Sequence, residues 1–374
     1  MKVRNVDLEL ISNSRNESCI QVTINNEFSG SAGSDNLNTI MKEMPNVSIN
    51  FLNKILNKGL NGWDVNNLKD VFEIEELLLS YDGTRNLGKI GSNFLLALDF
   101  ALLKMASNND VLKLLSKRFS KVPQHMCNCI VTNYTEKSRR FQEFFIMPKV
   151  KKFTDGYFAN SFIYSRLRNL LKNSERTDEG SFVTELKNES VLLLLEKVIG
   201  ETTKKLGVEF SLGVNFNSEN IYGKGNYKVG KQSFSLNEFL KEINKLISRF
   251  DVDYLEDTLN KENISEVKKV KSSYVSGNKI FNGDLENLKK YAKYFNCCVL
   301  KLNEVGSLKM LKKIADFCKN NDISLVLEQN LGETNDISNV DIAVGFDFDF
   351  VKYGVHGKER IMKLQELKRI EQEL

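Results

Sequence analysis

The 374-residue sequence lacks the features that mark membrane, secreted and nucleic-acid-binding proteins. No apolar run reaches the roughly 18 residues that span a bilayer, because Asp99 interrupts the longest candidate, FLLALDFALL (94–103). The first residues, MKVRNVDLEL, alternate polar and apolar side chains and lack the apolar core of a signal peptide. The net charge is only +4, so short basic runs such as KVKK (149–152) are interpreted as solvated faces. We therefore expect neither a membrane segment nor a nucleic-acid partner.

Zinc motifs and disulfide patterns are also missing. The six cysteines, at positions 19, 127, 129, 297, 298 and 318, include no CxxC pair, which predicts reduced thiols and a cytoplasmic location. Only two histidines occur. One of them, His125, stands beside Cys127 and Cys129, but this spacing fits no zinc pattern.

The N-terminal third of the chain combines strands with helices. The segments VRNVDLELI and CIQVTI, joined by the polar turn NSRNE, predict an antiparallel pair within residues 1–28. Apolar residues at three- and four-residue spacing then predict helices at 50–60, 68–80 and 93–106. Strands followed by helices predict an α+β capping domain, which we place at residues 1–112.

From about residue 207, predicted strands alternate with predicted helices, as in a parallel sheet with crossover helices. Ser235 and Glu238, in capping-box spacing, open one helix. Five or six such units, with no glycine-rich phosphate loop after the first strand, favour a (β/α) barrel over a doubly wound sheet. We therefore predict an α/β protein with a barrel over residues 113–374. The predicted strands are 209–216, 251–257, 279–283, 297–303, 323–330 and 349–354.

Barrel enzymes carry their chemistry at the carboxyl ends of the strands. A partly desolvated lysine at such a position is a usable base, and neighbouring carboxylates can hold a divalent cation. The alternative is an internal ion-pair network that only satisfies a polar barrel mouth. The strand-end rule selects Glu256, Asp257, Asp284, Lys301, Glu328 or Gln329, and Lys352.

Several segments resemble conserved motifs of one family, in that family's order. They are NSRNESCIQV (13–22), FSGSAGS (28–34), YDGTRNLGKIGSNFLLALDFALLKMA (81–106), FQEFFIMP (141–148), DEGSF (178–182), YLEDTL (254–259), VLKLNEVGSL (299–308), GETND (332–336) and KRIEQEL (368–374). The chain resembles enolase, which interconverts 2-phosphoglycerate and phosphoenolpyruvate. This resemblance implies an enolase-type (β/α)8 TIM-like barrel behind the N-terminal domain.

The resemblance also implies roles for individual residues. Lys301 stands at the position of the family's base, and Glu179 at that of the general acid, with Glu143 in support. Lys352 matches the lysine on the side of the substrate carboxylate, and Arg15 matches an arginine near the domain junction.

The family binds Mg²⁺ through three carboxylates, and this sequence retains one of them. Glu256 matches one metal ligand, whereas Gly213 and Gly283 occupy the positions of the other two. Asp284 is a weak substitute, because a shift of one residue in an extended segment turns the side chain to the opposite face. The resulting ligand set carries less negative charge than Mg²⁺ prefers, so Mg²⁺ is implied by the family but doubtful here.

The phosphate-binding residues also depart from the family. Its His-Arg-Ser triplet is replaced at 329–331 by Gln, Asn and Leu, and the histidine-containing loop before FQEFF is replaced by IVTNYTEKSRR (130–140). Losing one preorganised charge partner typically costs about 10²–10³ in rate. We therefore predict a protein that dehydrates 2-phosphoglycerate weakly or not at all. The alternative is an active phosphopyruvate hydratase, a carbon–oxygen lyase, with amide oxygens of Asn215 or Asn217 as replacement ligands.

The prediction of weak or absent turnover includes two hypotheses, a pseudoenzyme and an enzyme with an altered substrate. The first implies a protein partner, and the second implies a small carboxylate or a phosphorylated metabolite as ligand. The sequence leaves a homo-oligomer open.

Overall fold

The computed structural model describes residues 1–34, 56–116, 119–132 and 140–374. Residues 50–55 of the predicted helix 50–60 lie outside these ranges, as do residues 133–139 of the replaced loop 130–140. None of the described helices is long and apolar enough to cross a membrane.

The N-terminal region contains a small antiparallel sheet packed on helices. The predicted strand pair is confirmed, with Val6 opposite Ile24 and Ser12 opposite Ser18, and a third strand that the sequence analysis did not predict follows it. The buried helix that contains Asp99 packs against the second and third strands. The elements are β1 (Val6–Ser12), β2 (Ser18–Ile24), β3 (Phe28–Ser31), α1 (Leu68–Asp82), α2 (Ser92–Ser107) and α3 (Val111–Leu115).

The rest of the chain forms the predicted barrel, closed by eight strands. In their order around the ring, the strands are β4 (Gln124–Thr132), β5 (Glu143–Pro148), β7 (Phe210–Asn215), β11 (Val252–Glu256), β12 (Tyr274–Gly277), β13 (Cys297–Leu300), β14 (Ser324–Glu328) and β15 (Phe350–Lys352). The last strand, β15, pairs with β4 and closes the ring. A short strand, β6 (Phe182–Thr184), pairs with β4 outside the ring.

Helices cover the outside of the barrel. The helices that lie between or after barrel strands are α4 (Phe153–Leu170), α5 (Asn188–Leu206), α6 (Ser218–Ile221), α7 (Leu236–Phe250), α8 (Leu285–Tyr291), α9 (Leu302–Val305), α10 (Leu308–Asn320), α11 (Ser338–Gly345) and α12 (Lys358–Glu371). Two 3-10 helices span Lys261–Lys269 and Ala292–Tyr294, and a small hairpin sheet comprises β8 (Tyr222–Gly223), β9 (Asn226–Val229) and β10 (Gln232–Phe234). The capping box of Ser235 and Glu238 at the start of α7 is confirmed.

One detail of the predicted alternation is wrong. Residues 279–283 form a turn, and the strand of that unit is β12, which begins five residues earlier. A Cβ atom on Gly277 would lie 2.5 Å from Ile280 Cγ2 and 2.8 Å from Phe281 Cε2, so the two apolar residues predicted as strand instead cover the end of β12. The strands of the predicted alternation pair in parallel, whereas β5, which precedes them in the chain, runs antiparallel to both β4 and β7.

The barrel interior and the barrel mouth have different side chains. One buried apolar cluster fills the interior, and the N-terminal region contacts the mouth above it. Gly332 and Ser34 exchange two backbone hydrogen bonds of 2.8 Å, and Asn303 Nδ2 donates to the carbonyl of Gly33 at 2.6 Å. The interior cluster comprises Met126, Phe145, Met147, Tyr254, Cys297, Val299, Val326 and Phe350.

Candidate active site at the barrel mouth

The strand directions bring the polar residues of five strands to one rim. Glu256, Glu328 and Lys352 are the last residues of β11, β14 and β15. Because β5 is antiparallel, its first residue, Glu143, lies at the same rim and pairs with Asn215, the last residue of β7. The antiparallel strand therefore adds a carboxylate to the carboxyl ends of its neighbours.

Three of these carboxylates converge on one ammonium group. Lys352 Nζ lies 2.7 Å from Glu328 Oε1, 3.2 Å from Glu143 Oε2 and 3.2 Å from both carboxylate oxygens of Glu256. The ring centroid of Phe145 lies 4.6 Å from the same nitrogen. We call Lys352, Glu143, Glu256 and Glu328 the lysine–carboxylate cluster; all four residues are buried.

Neutral side chains complete the hydrogen bonding of the cluster. The Nδ2 group of Asn215 donates to Glu143 at 2.7 Å and to Glu256 at 2.9 Å. Asn278 Nδ2 donates to Glu328 at 2.9 Å, and the Tyr254 hydroxyl donates to Glu256 at 2.8 Å. Asn128 Nδ2 donates to the remaining oxygen of Glu143 at 2.7 Å. Every carboxylate oxygen of the cluster therefore accepts a hydrogen bond from the protein, or contacts the Lys352 ammonium.

The electrostatics of the cluster follow from burial and mutual contact. Burial opposes the charge of Lys352, but the three carboxylates outweigh it and raise the pKa of the ammonium well above its usual value. Burial raises the pKa of Glu256 to about 8, although Lys352 opposes this effect. Burial acts to raise the pKa of Glu328 too, but Lys352 and Lys301 together lower it below the usual value.

Lys301 and Glu179 lie beside the cluster. Lys301 directly follows β13 and is buried, with 6% of its surface exposed. Glu179 precedes β6 and is also buried. Burial raises the pKa of Glu179 to about 7, an effect that Lys301 opposes and that Glu143 and Glu328 reinforce. A carboxyl group with that pKa can donate a proton near neutral pH, as a general acid must.

The comparison with known proteins identifies the fold that carries this site. The family described as "Enolase, C-terminal TIM barrel domain" matches residues 120–374. The chain belongs to the enolase family. It is 29% identical to the enolase of Archaeoglobus fulgidus over 318 residues, which cover 81% of this chain and 80% of the relative. It is also 26% identical to the enolase of Sulfurisphaera tokodaii over 346 residues, covering 87% and 82%. The enolase of Thermoplasma acidophilum is 23% identical over 359 residues, covering 91% and 89%.

A side chain at Gly213, the position that the sequence comparison predicts for the first metal ligand, would be tightly packed. A Cβ atom on Gly213 would lie 3.0 Å from Phe145 Cδ2 and 3.1 Å from Tyr254 Cδ1. These rings pack edge to face with centroids 5.8 Å apart. A side chain at this position would therefore have to displace the rings by a few tenths of an ångström.

At the other positions predicted for metal ligands, Gly283 has no side chain, and the amide oxygens of Asn215 and Asn217 are already bonded. Gly283 has a left-handed φ of 64°, and a Cβ atom there would lie 2.7 Å from the backbone carbonyl of Glu304. Asn215 directs its amide nitrogen at the carboxylates, while its oxygen accepts from the backbone N–H of Asn217 at 2.9 Å. Asn217 Oδ1 accepts from Lys279 Nζ. Within the described ranges, no group of three or more His, Cys, Asp or Glu side chains is arranged to hold a metal ion. The described residues therefore offer no set of three carboxylates like the one that the family uses for Mg²⁺.

The loop that corresponds to the enolase phosphate-binding triplet is bonded within the protein. Gln329 Oε1 accepts from Arg360 Nε at 2.8 Å and from the backbone N–H of Gly354 at 3.1 Å. Arg360 Nη2 donates to the carbonyls of Asn330 and Leu331 at 3.2 and 2.9 Å. Arg360 is 1% exposed. Its Nε and Nη2 groups are thus committed to loop oxygens.

Two further predicted site residues have local partners. Arg15 is half-buried and pairs with Asp178 and Glu17, each at 3.3 Å. Because Asp178 precedes Glu179, this pair joins the N-terminal region to the loop of the candidate acid. Asp284 caps α8, accepting from the backbone N–H of Asn287 at 2.8 Å. The roles assigned to Arg15 and Asp284 stay predictions.

The strand-end rule found Glu328, but no sequence signal singled out its contact with Lys352. Asn215 was considered for its oxygen, whereas its nitrogen faces the site. Asn128, Asn278 and Tyr254 were missed. Asn278 directly follows β12, whereas Asn128 and Tyr254 lie in the middle of β4 and β11, where no sequence signal singles them out.

A cleft lies outside the lysine–carboxylate cluster. The loops that follow β7, β11 and β12 enclose a cleft of about 620 Å³. Its charged lining includes Lys261 and Lys279 together with three carboxylates, from Asp257, Glu219 and Glu262. Backbone and tyrosine donors already bind these carboxylates, as in the hydrogen bond from Lys261 N to Glu219 at 2.8 Å.

Proposed function

We propose that this enolase-family protein dehydrates 2-phosphoglycerate only weakly or not at all. The observation that supports this proposal is the set of charges at the barrel mouth, where the Lys352 ammonium lies among Glu143, Glu256 and Glu328 and the amide nitrogen of Asn215 faces two of these carboxylates. The parent reaction removes a proton next to a carboxylate and so builds up negative charge. Without a cation to stabilise that charge, the barrier rises steeply.

The phosphate-binding loop supports the same proposal. Gln329 replaces a histidine of the family triplet and Asn330 replaces the arginine, and Arg360 is bonded to the loop itself. Each lost charge partner typically costs about 10²–10³ in rate, although such effects do not add simply. Together they predict turnover several orders of magnitude below that of an intact site.

A second candidate function is proton transfer on a small carboxylate that carries no phosphate. The observation that favours it is the pKa of about 7 that burial gives Glu179, with the buried Lys301 near enough to oppose this rise. A lysine base and a carboxylic acid at one barrel mouth suit the removal of a proton next to a substrate carboxylate. This reaction would depend on Lys301 and Glu179 rather than on Gly213 or Gly283.

The test is phosphoenolpyruvate formation by the purified protein at high concentration, with 2-phosphoglycerate and Mg²⁺. We expect at most a trace of product above that of a Lys301→Ala control. Mg²⁺-dependent turnover comparable with that of an active enolase assayed alongside, and abolished by Lys301→Ala, would overturn the proposal and favour an active phosphopyruvate hydratase with substitute ligands.

The second candidate has a separate readout. A panel of small carboxylates is added in the presence of a chelator, and the unfolding temperature is followed, because a ligand that binds the folded state raises it. We expect at least one unphosphorylated carboxylate to raise it, and Glu179→Gln to reduce the shift. A flat response across the panel would reject this candidate.

A further inference from the structure

Two buried carboxyl groups meet where the N-terminal region contacts a helix of the barrel. Glu75 lies on α1 and Asp99 lies on α2, and both side chains are fully buried. The two carboxyl groups are hydrogen-bonded to each other. Both also contact the start of α10, which packs on the outside of the barrel. The candidate active site uses neither residue, so this pair needs an explanation of its own.

The first residues of α10 supply hydrogen-bond donors to the pair. The Ser307 hydroxyl, at the N-cap of α10, donates to Glu75 Oε1, and the backbone N–H of Lys309 donates to Glu75 Oε2 at 3.1 Å. The backbone N–H of Leu308 donates to Asp99 Oδ2 at 3.4 Å. Asp99 Oδ1 is buried and accepts no hydrogen bond from the described residues. A protonated Asp99 removes this deficit, because its carboxyl group can then donate to Glu75.

The charges around the pair favour one bound proton. Burial raises the pKa of both carboxyl groups, and the charge of Glu75 raises the pKa of Asp99 further. The lysines on the surrounding helices contact other carboxylates, while the remaining titratable groups on adjacent elements are the buried Cys19 thiol and Glu304, which acts on Cys298. Lys309 and Lys313 act on Glu76, Lys104 is bonded to Asp336, Lys113 to Asp110 and Lys69 to Glu73.

We propose that Glu75 and Asp99 share one proton and form a pH-sensitive contact that holds the start of α10 against the N-terminal region. While the proton is bound, Asp99 donates to the Glu75 carboxylate, and the N–H groups and dipole at the start of α10 stabilise the remaining charge. When the proton leaves, two buried carboxylates repel each other and require hydration. The contact therefore weakens as the pH rises.

The contact lies close to Lys301 along the chain. Helix α9 begins directly after Lys301, and the backbone N–H groups of Glu304 and Val305 donate to the Lys301 carbonyl at 3.1 and 3.2 Å. The same helix packs against α2, which carries Asp99, and only two residues separate it from α10. Loss of the shared proton therefore loosens residues 302–309 and, through α9, the backbone of the candidate base. This inference holds whatever substrate the barrel mouth binds.

The experiment is hydrogen exchange, followed by mass spectrometry, on the full-length protein between pH 5 and pH 9. The rates are corrected for the intrinsic pH dependence of exchange, and the readout is the protection of residues 302–311. We expect this protection to fall by about tenfold per pH unit until the pair has lost its proton, because opening of the contact releases that proton. Helix α7, which does not contact the pair, is the internal reference and should keep its protection.

Two variants separate the shared proton from the contact itself. Asp99→Asn keeps the shape of the side chain and a donor for Glu75, but its amide has no proton to lose in this pH range. The protection of residues 302–311 should then become independent of pH. Asp341→Asn is the matched control, because Asp341 is another buried aspartate, on α11, whose pKa burial raises to about 7. This variant should keep the pH dependence of the unmodified protein.

Three results would overturn the inference. The first is constant corrected protection of residues 302–311 in the unmodified protein. The second is an equal loss of protection in α7, which would show that the whole fold is destabilised. The third is an Asp99→Asn variant that keeps the pH dependence. If Asp99→Asn does not fold, the first two results still decide the question, and none of the three depends on turnover of 2-phosphoglycerate.

Discussion

A carboxylate placed at Gly213 is predicted to lower the stability of the fold rather than to create a metal site. The added Cβ would lie 3.0 Å from Phe145 Cδ2 and 3.1 Å from Tyr254 Cδ1, so both rings must move by a few tenths of an ångström. The rings cannot retreat easily, because the Tyr254 hydroxyl is bonded to Glu256 and the Phe145 ring faces the Lys352 ammonium. Overpacking of this kind costs about 1–3 kcal/mol, which is the expected effect of Gly213→Ala.

Gly213→Asp adds an electrostatic cost. Its carboxyl group would be buried between the two rings and held neutral, with a pKa above 7. Because an aspartate in the unfolded chain ionises near pH 3.9, protonating it on folding costs about 4 kcal/mol at pH 7 and about 1.5 kcal/mol at pH 5. The Asp variant should therefore be less stable than the Ala variant by about 4 kcal/mol at pH 7, and this difference should shrink as the pH falls to 5.

The assay is urea denaturation of the two variants at both pH values, with metal titration of the Asp variant. A Phe145→Leu background provides the control for the steric argument, since a smaller side chain there should reduce the cost of Gly213→Ala. An Asp variant as stable as the Ala variant at pH 7 would refute the reasoning, because the carboxylate would then have found a cation.

Three further predictions concern buried charges elsewhere in the chain. Burial lowers the pKa of His125 to about 4, below its unfolded value near 6.5. The free energy of unfolding should therefore fall by about 3 kcal/mol as the pH drops from 6.5 to 4. His125→Gln should flatten this pH dependence in urea titrations. Burial and the nearby Glu75 carboxyl group raise the pKa of Asp99. The stability of the fold should therefore decrease as the pH rises above about 4. Asp99→Asn should remove this decrease in thermal unfolding scans. Lys363→Met should destabilise the fold by about 3–5 kcal/mol in urea, because it leaves the buried Glu333 without its ammonium partner, whereas adding Glu333→Gln should restore much of the loss.

The fold was largely predictable because its signals are local. Apolar periodicity marked α1, α2, α7 and α10, and the alternation of strands and helices marked the barrel. The prediction failed at β12, where Ser276 and Gly277 give no apolar pattern and the following Ile280 and Phe281 look more strand-like. Local pattern also gave no sign that β5 runs antiparallel, since direction depends on pairing with distant strands.

The sequence predicted several residues of the candidate site but not the contacts between them. Strand ends identified Glu256, Lys301 and Lys352, because the barrel topology fixes the rim where those ends meet. The sequence alone does not show that Lys352 contacts three carboxylates, one of them 209 residues away along the chain. That contact depends on side-chain geometry in the folded barrel.

Calorimetric titration of Mg²⁺ into the unmodified protein, with and without 2-phosphoglycerate, tests the central claim most directly. If the barrel mouth does not hold Mg²⁺, neither titration should show saturable heat. A binding isotherm with one Mg²⁺ per chain, abolished by Glu256→Gln, would contradict the account.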